Sequence, residues 1–207
     1  TTIKGPIYDN YTIRQNRIKE EFISIFDKHR GRLLVIGEPG MGKTTLLLQL
    51  AIKYLEREDH SIPIIINIAS WRERFSSIKE WFEELLPQMG FSKSLVAVMV
   101  KENRILPLFD GLDELVVEQR KAFLEALGEY GAISNIKYVV CSRKSEYFKT
   151  VDAPVFCQVE VEPLTLPQVK RRLKKIEAPE SKGLLHAILN DKLLAEAIKV
   201  PFYLNTA

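Results

Sequence analysis

Apolar residues follow two rhythms along this chain. RLLVI (32–36), IPIIINIA (62–69), ILPLF (105–109) and KYVVCS (137–142) are nearly unbroken apolar runs, the pattern of strands buried on both faces. FCQVEVE (156–162) adds a further strand. Between the runs the apolar positions move to helical spacing. Leu46, Leu47, Leu50, Ala51, Tyr54 and Leu55 predict a helix from Lys43 to about Glu56. Further helices are expected over 77–86, ending near Lys101, and over 117–130. Ile18, Phe22, Ile25 and Phe26 form an earlier helical stripe that reads as core, and the chain is mostly helical from Leu166 onward. Strands alternating with helices predict a parallel sheet covered on both sides, followed by the start of a small helical subdomain. No internal repeat or low-complexity tract interrupts the pattern.

Composition narrows the classes without choosing among them. At 207 residues, 46% hydrophobic and 28% charged, the chain suits one α/β domain with a sizeable core. A net charge of +3 does not by itself argue for nucleic acid or an anionic membrane. Lys170 to Lys175 (KRRLKK) is basic, but Val169, Leu173 and Ile176 share one helical face, so the basic residues read as a solvated face. Trp71 and Phe75 read as packing residues. Cys141, inside YVVCS, reads as a buried reduced thiol, and Cys157 lies far from it in sequence. His29, His60 and His186 are scattered singly, with no metal-ligand spacing. No stretch approaches the ~20 apolar residues of a membrane span, and no signal-peptide pattern opens the chain, so a cytoplasmic setting is expected. A start at Thr1 and an end just after an apolar segment are expected of a piece of a longer protein.

The first stretch with chemistry is GEPGMGKTT: Gly37, Glu38, Pro39, Gly40, Met41, Gly42, Lys43, Thr44 and Thr45. It matches G-x-x-x-x-G-K-[ST] and has the flanks that motif requires, a strand before it and a helix after it. Glycines let the backbone curl so that successive N–H groups face phosphate oxygens, and the helix N-terminus adds partial positive charge. Lys43 would reach the β and γ phosphates, and the Thr44 hydroxyl would hold Mg²⁺.

The second is ILPLFDGLDEL, which puts Asp110, Asp113 and Glu114 within five positions at the end of a buried strand. Crowded carboxylates at such an edge need a cation. The strand delivers Asp110 to the carboxyl edge of the sheet, where ligands of parallel sheets bind. Asp110 would hold the nucleotide's Mg²⁺ as the Walker B aspartate. Asp113 and Glu114 are then candidates to orient and deprotonate an attacking water. The plainer alternative is that both acids cap the helix over 117–130.

No N/T-K-x-D guanine motif is present, which favours adenine. AAA+ motors usually place Glu directly after the Mg²⁺ aspartate, whereas here the order is D, G, L, D, E. That spacing resembles the NACHT family of STAND-class signal-transduction NTPases. GEPGMGKTTLLLQLA, IPIIINIASW, LPLFDGLDEL, YVVCSRKSEY, VEPLTLPQV and VPFYLNTA look like successive blocks of bacterial NACHT domains in the same order, covering roughly residues 8–207.

The resemblance implies an ASCE-type P-loop fold with strand order 5-1-4-3-2. It implies three parts: 1–30, an N-terminal base-lining segment and helix; 31–162, the nucleotide-binding α/β core; and 163–207, a partial helical subdomain. Arg143 resembles the sensor 1 arginine that watches the γ-phosphate. Pro201 resembles a proline packed near adenine, and Tyr11, Thr12 and Ile13 match the stretch that lines the base. The implied function is an ATP/ADP switch with slow Mg²⁺-dependent hydrolysis, self-associating in the ATP state through the full-length protein in signalling or defence. Direct nucleic-acid or membrane binding is not implied. The winged-helix and repeat-built sensor parts usual in the family are not among these blocks. Two rivals differ in class: an AAA+-like or helicase-like motor with high turnover, and a binding module in which the nucleotide is only structural. Asp110, Asp113, Glu114 and Thr44 together weigh against the second.

Overall fold

Side chains on successive strand positions point to opposite faces, and in this chain both faces are filled. The computed structural model describes residues 10–13, 18–57, 61–133, 136–147, 157–174 and 180–201. Its elements are β1 (Asn10–Ile13), α1 (Ile18–Lys28), β2 (Arg32–Ile36), α2 (Lys43–Leu55), β3 (Ile62–Asn67), α3 (Ile78–Gln88), α4 (Lys93–Lys101) and β4 (Ile105–Asp110). After these come α5 (Val117–Ala132), β5 (Tyr138–Ser142), the single turn α6 (Lys144–Tyr147), β6 (Cys157–Val161), α7 (Leu166–Lys174), α8 (Glu180–Asn190) and α9 (Lys192–Ala197).

The six strands form one sheet in the order β1-β6-β2-β5-β4-β3, and every neighbouring pair is parallel. Counted from β2, the five strands other than β1 follow the expected 5-1-4-3-2 order. The addition is β1: within the segment expected only to line a base, residues 10–13 pair with β6, Asn10 opposite Gln158 and Ile13 opposite Val161.

Leu33 and Val35 of β2 join one core layer with Phe22 and Phe26 of α1 and Leu46, Leu47 and Leu50 of α2. Leu34 and Ile36 join the opposite layer, with residues of α3, α4 and α5. That second layer is rich in rings. Trp81 stacks on Phe109 at 5.8 Å, and Trp71 meets Trp81 edge-on at 5.4 Å and Phe123 at 5.5 Å. Trp71 and Phe75 are therefore core, as their sequence context implied. Ser77 caps α3 by accepting from the Glu80 N–H, and Ser92 caps α4 in the same way from Leu95.

A third cluster, including Leu164, Val169, Leu173, Ile188 and Ile198, belongs to the helical part that follows the sheet. Val169 and Leu173 of α7 face into it while Arg171, Arg172 and Lys174 are exposed, so the basic run has the expected solvated face. The Leu164 N–H donates to the Lys199 carbonyl at 2.8 Å. Val200 packs against the layer that contains Leu33, Leu46 and Val161, which joins this subdomain to that face of the sheet. His60, Lys175, Ile176 and the segment 202–207 lie outside the described residues. Among the described residues no helix is long and apolar enough to cross a membrane.

Candidate functional site

Beyond Ile36 the β2–β5 pairing extends one residue further: the Gly37 N–H donates to the Ser142 carbonyl at 3.3 Å. The chain then turns through Gly40 (φ 77°) and Gly42 (φ 91°), a left-handed backbone that side chains with a Cβ disfavour. Met41 is buried and anchors the loop to the core, while Glu38, Pro39 and Gly40 are exposed. Gly42 caps α2 without a side chain, so no cap side chain takes up the first N–H groups of that helix. This is the cradle an anion needs. Lys43 Nζ donates to the Gly37 carbonyl at 2.8 Å and the Glu38 carbonyl at 3.2 Å, which holds its ammonium inside the loop. Thr44 and Thr45 open α2 on its exposed side.

Five buried residues of β4 carry Asp110 to the same edge. Its Oδ2 accepts the Thr44 hydroxyl at 2.6 Å, so the two residues expected to hold a cation are in contact. A hydroxyl beside a carboxylate suits a hard divalent ion that keeps most of its waters. Among the described residues there is no cluster of three His, Cys, Asp or Glu side chains of the kind that binds a metal by itself. The Thr44 and Asp110 oxygens fit such an ion in chemistry.

Gly111 follows at φ 86°, and residues Leu112–Glu114 form a 3-10 turn. A Cβ on Gly111 would lie 2.9 Å from Glu114 Cδ, so the Glu114 side chain folds back over the residue that follows Asp110. The left-handed φ of Gly111 favours glycine at this position. The two later acids do not cap α5, whose N-cap is Val116 with no side-chain cap. The Asp113 side chain, only 10% exposed, instead faces the end of β5: Oδ1 accepts the Arg143 backbone N–H at 3.0 Å and Oδ2 forms an ion pair with Arg143 Nε at 2.8 Å. Next along the chain, Lys144 donates to both oxygens of Glu160 on β6 at 2.7 and 2.9 Å.

Arg120 has no counterpart in the sequence reading. It lies on α5, 2% exposed, and donates to the carbonyls of Glu146 (2.7 Å), Leu115 (3.0 Å) and Asp113 (3.5 Å), with Glu146 Oε2 at 3.6 Å. It ties the acid turn to α6. The available signal was positional: Arg120 falls in register with Phe123, Leu124 and Leu127, a charge on an otherwise apolar helical face.

Cys141 lies beneath the site, fully buried. Burial, and then the negative charge of Asp110, push its thiol pKa well above the ordinary value, which keeps it an inert SH group. Cys141 is in no disulfide. Of the residues expected near a base, Thr12 and Ile13 pair with Glu160 and Val161, level with Ile36 and Gly37 at the phosphate edge. The Tyr11 hydroxyl instead meets Lys28 Nζ (2.7 Å) and His29 Nε2 (3.0 Å) of the α1 end. Pro201 is buried, directly after Val200. A cavity of about 450 Å³, lined by Leu164, Thr165 and Val200, opens beside this turn.

A glycine loop between a strand and a helix, a lysine folded back into it and a threonine bonded to the aspartate that ends β4 define a P-loop nucleotide site. The family follows from comparison: the NACHT domain model matches residues 31–201, and the chain belongs to that family of nucleotide-binding P-loop NTPases. Among solved structures, C. elegans PCH-2 is similar at 19% identity with a TM-score of 0.49, over 79% of this chain and 47% of that one. No curated protein is similar enough to be matched.

Proposed function

We propose that this domain is an ATP/ADP-dependent switch that hydrolyses ATP slowly with Mg²⁺ and controls self-assembly of a larger cytoplasmic signalling protein. One observation carries the reading. Lys43 and Thr44 from the start of α2, Asp110 from β4 and Arg143 just past β5 lie at one sheet edge, with Glu114 folded over Gly111 beside them. Residues 31–162 would form the nucleotide core, 1–30 the base-lining part and 163–207 the closing helical part.

In this reading Lys43 neutralises charge on the β and γ phosphates, and Arg143 contacts the γ-phosphate alone. Thr44 and Asp110 would hold Mg²⁺, which when bound offsets the charge gathering on the phosphate oxygens. The Glu114 carboxylate takes a proton from the attacking water. Thr12, Ile13 and Pro201 are the proposed neighbours of the adenine; Tyr11, bonded through its hydroxyl to α1, shapes that wall from behind. Contacts made only to a γ-phosphate exist in one nucleotide state and so can bias a two-state equilibrium.

The test is the nucleotide released on denaturing the purified protein, followed by ATP turnover of wild type and Glu114→Gln. Bound ADP, with slow turnover that the substitution abolishes, is the expected result. An empty site with rapid turnover that DNA or a client protein stimulates would replace the switch with a motor.

A further inference from the structure

Asp113 was expected to share the water with Glu114, but the structure gives its carboxylate another occupation. Both of its oxygens are engaged by one residue, at 3.0 Å to the Arg143 N–H and 2.8 Å to Nε. A general base needs a lone pair aimed at the water it deprotonates. The Asp113 side chain is 10% exposed and that of Arg143 is 52% exposed, so the acid is the fixed member of the pair and the guanidinium the accessible one.

The backbone around Arg143 is pinned from three sides. The Ser142 carbonyl accepts the Gly37 N–H, Asp113 accepts the Arg143 N–H, and the Lys144 side chain is tied to Glu160. The Arg143 side chain is left as the part that can change partner, and it leaves the sheet directly beside the first glycine of the phosphate loop.

We propose that Asp113 is a positioning residue, an internal anion that holds Arg143 until a γ-phosphate takes it. This rests on the switch reading above and adds the device that makes the site sensitive to the third phosphate. Carboxylate and phosphate compete for one guanidinium, and both suit its planar donors. Breaking the Asp113–Arg143 pair opposes ATP, which needs the arginine, and leaves ADP unaffected. The carboxylate thereby sets the ATP-to-ADP preference of the protein.

The decisive experiment measures dissociation constants for ADP and a non-hydrolysable ATP analogue, with Mg²⁺, by calorimetry. Asp113→Asn keeps an oxygen for the Arg143 N–H while removing the charge. It is expected to shift the affinity ratio toward the ATP analogue by about two- to fivefold, the range of a partly exposed ion pair. The shift should vanish in an Arg143→Ala background. An unchanged ratio in Asp113→Asn, or a shift that persists without Arg143, overturns the proposal. So does lost turnover at an unchanged ratio, which would return Asp113 to the chemistry. If wild type binds neither nucleotide, the switch reading fails with it; if wild type binds both and only the ratio fails to move, the switch reading stands alone.

Discussion

Replacing Arg120 by alanine should unfold much of the domain's margin of stability from a position that touches no phosphate. Two of the guanidinium's bonds are short, 2.7 Å to the Glu146 carbonyl and 3.0 Å to that of Leu115, and its side chain is 2% exposed. A hydrogen bond from a charged donor contributes roughly 1.5–3 kcal/mol, and a buried acceptor left without one keeps its desolvation cost. Glu146 is 29% exposed, so water can reach part of the gap and recover some of the loss. The expected cost is about 3–4 kcal/mol, consistent with other buried charges that lose a partner. That is a large share of the ~5–15 kcal/mol by which domains are stable. Urea unfolding followed by tryptophan fluorescence reads it, since Trp71 and Trp81 are both buried in the α3–α5 layer. Arg120→Lys, which keeps the charge but loses the fork, should fall between the two. Because Arg120 also holds the Leu115 and Asp113 carbonyls, turnover of the folded variant should drop more than its nucleotide affinity. A stability loss below about 1 kcal/mol would refute the claim that Arg120 holds the acid turn.

Gly111→Ala places a Cβ at φ 86° and 2.9 Å from Glu114 Cδ. It should cost about 1–2 kcal/mol in equilibrium unfolding and lower turnover at least ~10-fold by moving Glu114, with ADP affinity retained. Asp27 accepts from Arg57 at 2.8 and 2.9 Å, and that bond holds its carboxyl below the ordinary aspartate range against the opposing effect of burial. A depressed folded-state value means the pair stabilises above the unfolded pKa of about 3.9 and stops doing so as pH falls through the folded one. Asp27→Asn should therefore be less stable than wild type near neutral pH, by less than about 1 kcal/mol for so exposed a pair. The gap should close in acid, as unfolding midpoints from pH 7 to pH 2 would show.

Where the physics is periodic, the sequence was a sufficient guide. RLLVI coincides with β2 residue for residue, because a strand buried on both faces needs an unbroken apolar run. The GEPGMGKTT loop and Asp110 were legible for a related reason, since glycine spacing and a carboxylate at a strand end are local properties of the chain. IPIIINIA was read two residues too long: Asn67 accepts the Ala69 N–H, and that side-chain bond closes a 3-10 turn where the apolar run suggested more strand. NYTI gave no periodic signal for β1, because four residues are too few and its pairing depends on β6, some 150 residues away. The same limit hid the partner of Asp113. Whether a carboxylate faces water or Arg143 depends on how a turn after β4 meets the end of β5, and no local pattern encodes that meeting.

The distribution of charge over the two edges follows from the parallel sheet itself. Each helix that crosses between parallel strands starts at their carboxyl ends and finishes at their amino ends, so helix dipoles add rather than cancel. The positive helix starts gather where the phosphate loop lies, at the same edge as the three acids, Lys43 and Arg143. The carbonyl ends of α1, α2, α4 and α5 gather at the other edge, around a groove of about 1130 Å³. Its lining includes Arg30, Arg32, Arg57 and Lys137, and Arg32 donates to the carbonyls of Ile136 (3.0 Å) and Ile133 (3.2 Å) just past α5. In that groove Arg32 answers carbonyls near the end of α5 and Arg57 the Asp27 carboxylate, so neither is held out for a phosphate. A triphosphate placed there would face carbonyl oxygens where the loop after β2 offers N–H groups, so this groove is the wrong place for the nucleotide.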